Sequence, residues 1–175
     1  MRGIERLSAV ESSTPRMARA LPEMPMPPTV MVRLIRISAF GLGNFFEPVF
    51  RALETSENEF HVMCLLVASE HGRAAPSELS ELVGTSRANM TRILDSMLLA
   101  GWVSRSVDAR DGRRHVICIT PAGRAKVKEV VPRMTEPLNR AFSGLSAGEL
   151  ATLDQLLRKA IVSFDRSARA MTAAA

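Results

Sequence analysis

Tyrosine is absent from the 175 residues, tryptophan occurs once and cysteine twice. Neither Cys64 nor Cys118 stands in a metal-ligand spacing, and two thiols make no disulfide framework, so a reducing, intracellular setting is expected. His61, His71 and His115 are scattered. A Gly-rich phosphate loop, a His-Glu-x-x-His or Cys-x-x-Cys metal spacing and a nucleophile elbow are all missing, which speaks against an enzyme and leaves neither metal nor cofactor to expect. No apolar run reads as membrane-spanning and the N-terminus lacks a signal-peptide core, so the expectation is a cytoplasmic protein with no membrane partner. At 46% hydrophobic and 23% charged, the chain suits one well-packed globular domain better than two.

What is present concentrates between Pro76 and Thr120. Pro76 suits a first helical position, and Ser77 to Val83 continue that helix to Gly84, which tolerates a helix C-terminus. Thr85 or Ser86 then caps a second helix, Ser86 to Ala100, so only a few residues separate the two. This spacing is that of a helix-turn-helix. Met90, Ile93, Leu94, Met97 and Leu98 fall on one face of the second helix at three- and four-residue steps and form its buried stripe. Arg87, Ala88, Thr91, Arg92 and Asp95 fall opposite, with Ser86 and Asn89 near the exposed first turn. Small, hydroxylic and guanidinium side chains at that place match base edges and phosphates in a major groove.

Trp102, Val103 and Arg105 begin a strand whose partner is the β-branched run from His115 to Ile119. Between them Asp108 to Arg114 reads as a hairpin tip with Arg110, Asp111, Arg113 and Arg114. An arginine carried there can reach a narrow minor groove, where the negative potential is concentrated. From Thr85 to Lys128 nine basic residues face three acidic ones, a local net of +6 in a chain whose total is +5. The basic footprint for a polyanion is therefore confined to this module.

The run Pro76-Ser77-Glu78-Leu79-Ser80, Gly84, Ser86-Arg87, Asn89, Thr91-Arg92-Ile93, Asp95, Gly101-Trp102, Arg105, Asp108-x-x-Asp111-x-Arg113-Arg114 and Ile119-Thr120 resembles the MarR family of winged-helix regulators. The Ser-Arg-x-Asn-x-Thr-Arg-Ile and Gly-Trp signatures are most similar to its branch that represses multidrug and fatty-acid efflux pumps. The resemblance implies that Thr91 and Arg92 act in the major groove, that Arg113 enters the minor groove and that Asp111 orients it. It implies a homodimer on an inverted-repeat operator in double-stranded DNA. It also implies an effector pocket between the dimer helices and the DNA-binding lobe.

The flanks complete the expected architecture: mainly α with a small β-hairpin wing, a winged helix-turn-helix plus a helical dimerisation region. Residues 1–28 carry Pro15, Pro22, Pro25, Pro27 and Pro28 and read as a flexible tail in which only Ile4 to Glu11 forms a short helix. Residues 29–55 form an apolar dimerisation helix holding four of the seven phenylalanines. In it Gly41 and Gly43 cost about 1 kcal/mol each relative to alanine, for which close helix packing is the expected reason, and Pro48 should kink it.

Residues 56–120 form the DNA-binding lobe, launched by a Ser56–Glu59 capping box. Residues 121–175 form C-terminal dimerisation helices, the first bent or interrupted at Pro132 and Pro137, the last capped by Ser146 with Glu149 and frayed from Ser167.

For the effector, the family reading offers an apolar pocket from Ile37, Phe40, Phe45, Phe60, Met63 and Cys64, with Arg33 or Arg105 for an anionic group of a small lipophilic or aromatic ligand. The same side chains equally serve to fill a core. Two alternatives remain at this level: a redox-sensing repressor using Cys64 or Cys118, and a winged-helix module that binds proteins only.

Overall fold

Glycine and proline divide the chain at the places where its elements change. The computed structural model describes residues 2–107 and 115–173. In chain order the elements are α1 (Gly3–Ala20), α2 (Met26–Ala52), α3 (Glu57–Ala68), β1 (Arg73–Ala74), α4 (Pro76–Val83), α5 (Arg87–Leu99), β2 (Val103–Val107), β3 (His115–Ile119), α6 (Pro121–Ala141) and α7 (Ala147–Ala173). Helices dominate, with one small antiparallel sheet, as expected. The sheet has a third strand that the sequence did not announce: β1 joins the wing hairpin in the order β1-β3-β2, with Ala74 opposite Ile117 and Arg105 opposite Ile117 on the other side. The chain divides into two units, residues 1–134 and 135–175.

In the first unit, Val62, Met63 and Leu66 of α3, Leu79 of α4, Met90, Leu94 and Met97 of α5 and Ile117 of β3 are buried in one cluster. The positions that make α5 amphipathic are those that enter this core, so its opposite face is left to solvent. The capping box is formed: the Ser56 backbone N–H donates to Glu59 Oε2 at 2.8 Å and the Glu59 N–H donates to Ser56 Oγ at 3.3 Å. Gly84 (φ 73°) and Gly101 (φ 73°) take the left-handed conformation that ends α4 and α5.

Several expectations fail, and prolines explain most of them. The segment expected to be a flexible tail with only a short helix holds the 18-residue α1, which runs through Pro15. Likewise α6 continues through Pro132 and Pro137 as one helix, so the interruption expected there is absent, and α2 continues through Pro48. A proline leaves the carbonyl four residues earlier without its helical donor. Those positions, Glu11, Asn44, Lys128 and Arg133, are all exposed, so water can replace the lost bond. In α1 the hydroxyls of Ser13 and Thr14 also donate to the carbonyls of Ala9 and Val10, at 2.6 and 2.7 Å, holding the turn before Pro15.

Two further observations concern α2. A Cβ added at Gly41 or Gly43 would meet nothing within 4 Å, so packing inside this chain does not require glycine at either place. The helix is also long and apolar enough to cross a membrane by length and composition, with a mean hydropathy of 1.2 over its best window, contrary to the reading that no run was. Arg33 and Arg36 stand within it, and Phe46 and Phe50 are buried against the protein. Phe46 and Phe50 stand 6.3 Å apart, and Phe50 lies 5.7 Å from Phe60 of α3.

In the second unit, the Ser146–Glu149 box caps α7, which extends to Ala173 and not only to the region before Ser167. Its apolar stripe of Leu150, Leu153, Leu157, Ile161 and Phe164 is exposed.

Candidate nucleic-acid interface

The candidate interface starts from two helix ends. Ser86 Oγ accepts from the Asn89 N–H at 3.2 Å and so caps α5, which fixes the direction of its first turn. Arg87, Thr91 and Arg92 are exposed on the side opposite the buried stripe, and Ser86 is exposed beside them. Asn89 is half-buried and belongs to a short relay. Its Nδ2 donates to Thr85 Oγ1 at 2.8 Å, while its Oδ1 accepts from Arg92 Nη1 at 3.1 Å. The Arg92 guanidinium is thereby held by a side chain that is itself anchored to the turn. Thr91 Oγ1 donates to the Arg87 carbonyl at 3.1 Å, which leaves both of the oxygen's lone pairs able to accept.

Pro76 and Ser77, at the start of α4, line a shallow groove of about 320 Å³ with Arg87, Met90 and Thr91. Free N–H groups at a helix start carry partial positive charge, and Arg87 adds a full one, so the groove suits a phosphate. Sequence reasoning had not assigned Ser77 or Thr85 to the interface. Proline at a first helical position next to a basic second helix was the available signal.

Asp108, Arg110, Asp111, Arg113 and Arg114, the hairpin tip, lie outside the described residues. Thr120 ties the base of the wing together. Thr120 Oγ1 lies 2.7 Å from the Gly101 carbonyl and 3.0 Å from that of Trp102, and it accepts from the Gly123 N–H at 3.1 Å. The Thr120 N–H donates to the Trp102 carbonyl at 3.0 Å. Lys126 Nζ stands 5.7 Å from the Trp102 ring centroid. Arg105 Nη2 on β2 reaches Asp95 Oδ1 on α5 at 3.9 Å, an exposed pair that adds little energy but relates wing and helix.

The residues read as an effector pocket are dispersed. Met63 is buried in the lobe core, and Phe60 and Cys64 pack against that core. Phe45 stacks edge-on to Phe46 at 5.0 Å, and Phe40 lies under the Arg6 guanidinium at 4.1 Å. Arg33 and Ile37 line a groove against α1, while Arg105 faces Asp95. Burial raises the Cys64 pKa, which makes its reactive thiolate scarcer. Among the described residues no group of three His, Cys, Asp or Glu could hold a metal ion.

Comparison with known proteins agrees with this arrangement. The sequence model described as "MarR family" matches residues 55–115. The chain is 32% identical over 118 residues, 67% of each chain, to the transcriptional repressor MprA of Escherichia coli strain K12. A crystal structure of a mutant MarR from E. coli complexed with operator DNA superposes with a TM-score of 0.69 at 23% identity, covering 82% of this chain and 96% of that one. A structure of Bordetella bronchiseptica BpsR, whose DNA binding is described as regulated by 6-hydroxynicotinic acid, gives 0.66 at 24% identity, covering 72% and 89%. With a relative of this identity covered over two thirds of both chains, the chain belongs to the MarR family of winged-helix transcriptional regulators, a family that is not enzymatic.

Proposed function

We propose that the chain is a cytoplasmic, dimeric repressor that reads an inverted-repeat operator and is released by a small lipophilic or aromatic, anionic effector. The single observation that carries the operator reading is the exposed face of α5. Arg87, Thr91 and a tethered Arg92 stand there beside the start of α4. On this reading α5 enters the major groove, Thr91 and Arg92 meet base edges, and a phosphate sits between Ser77 and Arg87. Arg113 follows the minor groove with Asp111 orienting it, and Arg110 and Arg114 neutralise the adjacent backbone.

The exposed apolar stripe of α7 and the exposed Phe40, Leu42 and Phe45 of α2 support the dimer, since such stripes are ordinarily covered in use. The repressor reading is supported by the likeness to MprA, the efflux or stress operon by the resemblance of the α5 signature to the efflux-repressing branch, and the aromatic-acid effector by the likeness to BpsR. An effector releases DNA only to the extent that it binds the non-binding arrangement of the two lobes more tightly.

The test is a titration of the purified protein with DNA from upstream of its own gene, over a range of salt and with a panel of hydrophobic drugs, phenolic acids and fatty acids. Tight binding that weakens by orders of magnitude with salt, and that one compound abolishes, is the expected result. Absence of salt-sensitive DNA binding would turn the reading to a protein-interaction module.

A further inference from the structure

A hydroxylic residue inside a helix ordinarily turns its oxygen back to the carbonyl one turn earlier, as Thr91 does with Arg87. Ser96, further along α5, is bonded differently. Its Oγ crosses to α3 and donates to Glu59 Oε1 at 2.7 Å. The other oxygen of that carboxylate is already engaged: Glu59 Oε2 accepts from the Ser56 N–H at 2.8 Å and from Ser56 Oγ at 2.9 Å. One side chain thus holds the start of α3, the turn that follows α2, and α5.

That turn has little slack. Only residues 53–56 join α2 to α3. Leu53 is buried, and Glu54 takes φ 49°, a left-handed conformation that favours glycine. The Thr55 N–H donates to the Phe50 carbonyl at 3.1 Å, and Phe50 packs on Phe60 of α3. The end of α2 is therefore bound to the start of α3. Ser96 stands four residues after Arg92 and seven after Asn89, on the same side of α5. The stripe that carries Arg92 is thus held in front by Thr85 through Asn89 and behind by Glu59.

We propose that Ser96 and Glu59 are a positioning pair that sets α5 relative to the end of α2, so that the two copies of α5 in a dimer reach DNA already aligned with each other. The effect on DNA rests on the dimeric repressor proposed above, but the placement of α5 does not. An exposed hydrogen bond contributes little to stability. It can still exclude other arrangements of the two arms, and arms aligned beforehand bind two half-sites with less loss of freedom.

The test uses the full chain with Ser96→Ala, which removes the bond, and Ser96→Thr, which keeps the hydroxyl at an exposed position. Alanine favours helix more than serine does, so a loss in Ser96→Ala does not come from an unravelled α5. In titrations with the operator and with a duplex holding one half-site, Ser96→Ala should lose about fivefold or more on the operator and nothing on the half-site. Its thermal midpoint should not move, and Ser96→Thr should bind as the parent does. A second readout needs no DNA. Trp102, the only tryptophan, lines a groove of about 650 Å³ with Glu59, Ser96 and Leu99. Its quenching by acrylamide should rise in Ser96→Ala and return to the parent value in Ser96→Thr. Parent-like operator binding or parent-like quenching in Ser96→Ala overturns the proposal. So does a loss shared equally by operator and half-site, or one that Ser96→Thr does not restore. If the parent binds the half-site as tightly as the operator, the dimeric reading fails, and the quenching alone decides the pair.

Discussion

Glycine at position 123 is decided by an atom that is not its own. A Cβ there would stand 2.2 Å from the Trp102 carbonyl oxygen and 2.6 Å from Ile119 Cδ1, and the first of these is backbone. Gly123→Ala should therefore separate α6 from the base of the wing, costing on the order of 2–3 kcal/mol as overpacking does. A thermal melt by circular dichroism checks this, and an unchanged midpoint would refute it.

The Thr85–Asn89–Arg92 relay gives a second expectation at the same scale. Asn89→Ala removes the group that holds Arg92, so it should weaken operator binding by part of what Arg92→Ala costs, and the double variant should lose less than the sum. Both should harm the operator more than random DNA, as measured by competition titrations. Equal losses on both sequences would show that Arg92 contacts phosphate alone.

Among the elements, α7 offers the clearest response to pH. The Ser146 backbone N–H and hydroxyl donate to Glu149, and these bonds hold its carboxyl below the usual range. The stabilisation is thus present above the ordinary carboxylate range and is lost as pH falls through the lowered value. A carboxyl-detected titration should place Glu149 below an ordinary glutamate, and Ser146→Ala should return it upward. A normal midpoint in the parent protein would mean that the box is open in solution.

Elements differ in how well they could be read from residues. The pair α4 and α5 was legible because Pro76, Gly84, Ser86 and Gly101 mark their ends, and the four buried positions of α5 fall at helical spacing. The strand β1 was not, because two residues carry no period and Ala74 gains its place only by pairing with Ile117. Likewise α1 was hidden by Pro15, since nothing local says that the turn before it is held by hydroxyl bonds and buttressed by α2. Apolar side chains such as Met63 and Phe60 look the same in a pocket as in a core, so the effector site could not be placed by composition. The exposed face of α5 was readable because arginine and threonine opposite its buried stripe have no packing role to confuse it.

For the whole molecule, the expected dimer brings two copies of α5 to one side of a duplex. Half-sites should then lie about one turn apart, roughly 34–36 Å. Phe164→Asp, which places a charge in the exposed stripe of α7, should shift sedimentation toward the monomer and weaken operator binding steeply with dilution. A dimer that persists unchanged would move the interface away from that stripe.

The knot around Thr120 adds a constraint of another kind. Its backbone and hydroxyl join the end of α5, the start of β2 and the first turn of α6, so the proposed major-groove helix and the root of the wing share one joint. Such a lobe behaves like a calliper locked at one opening. Operators could vary in the distance between their two arms, but each arm should be inelastic: one base pair inserted inside a half-site would put the helix and the wing out of step with their grooves together.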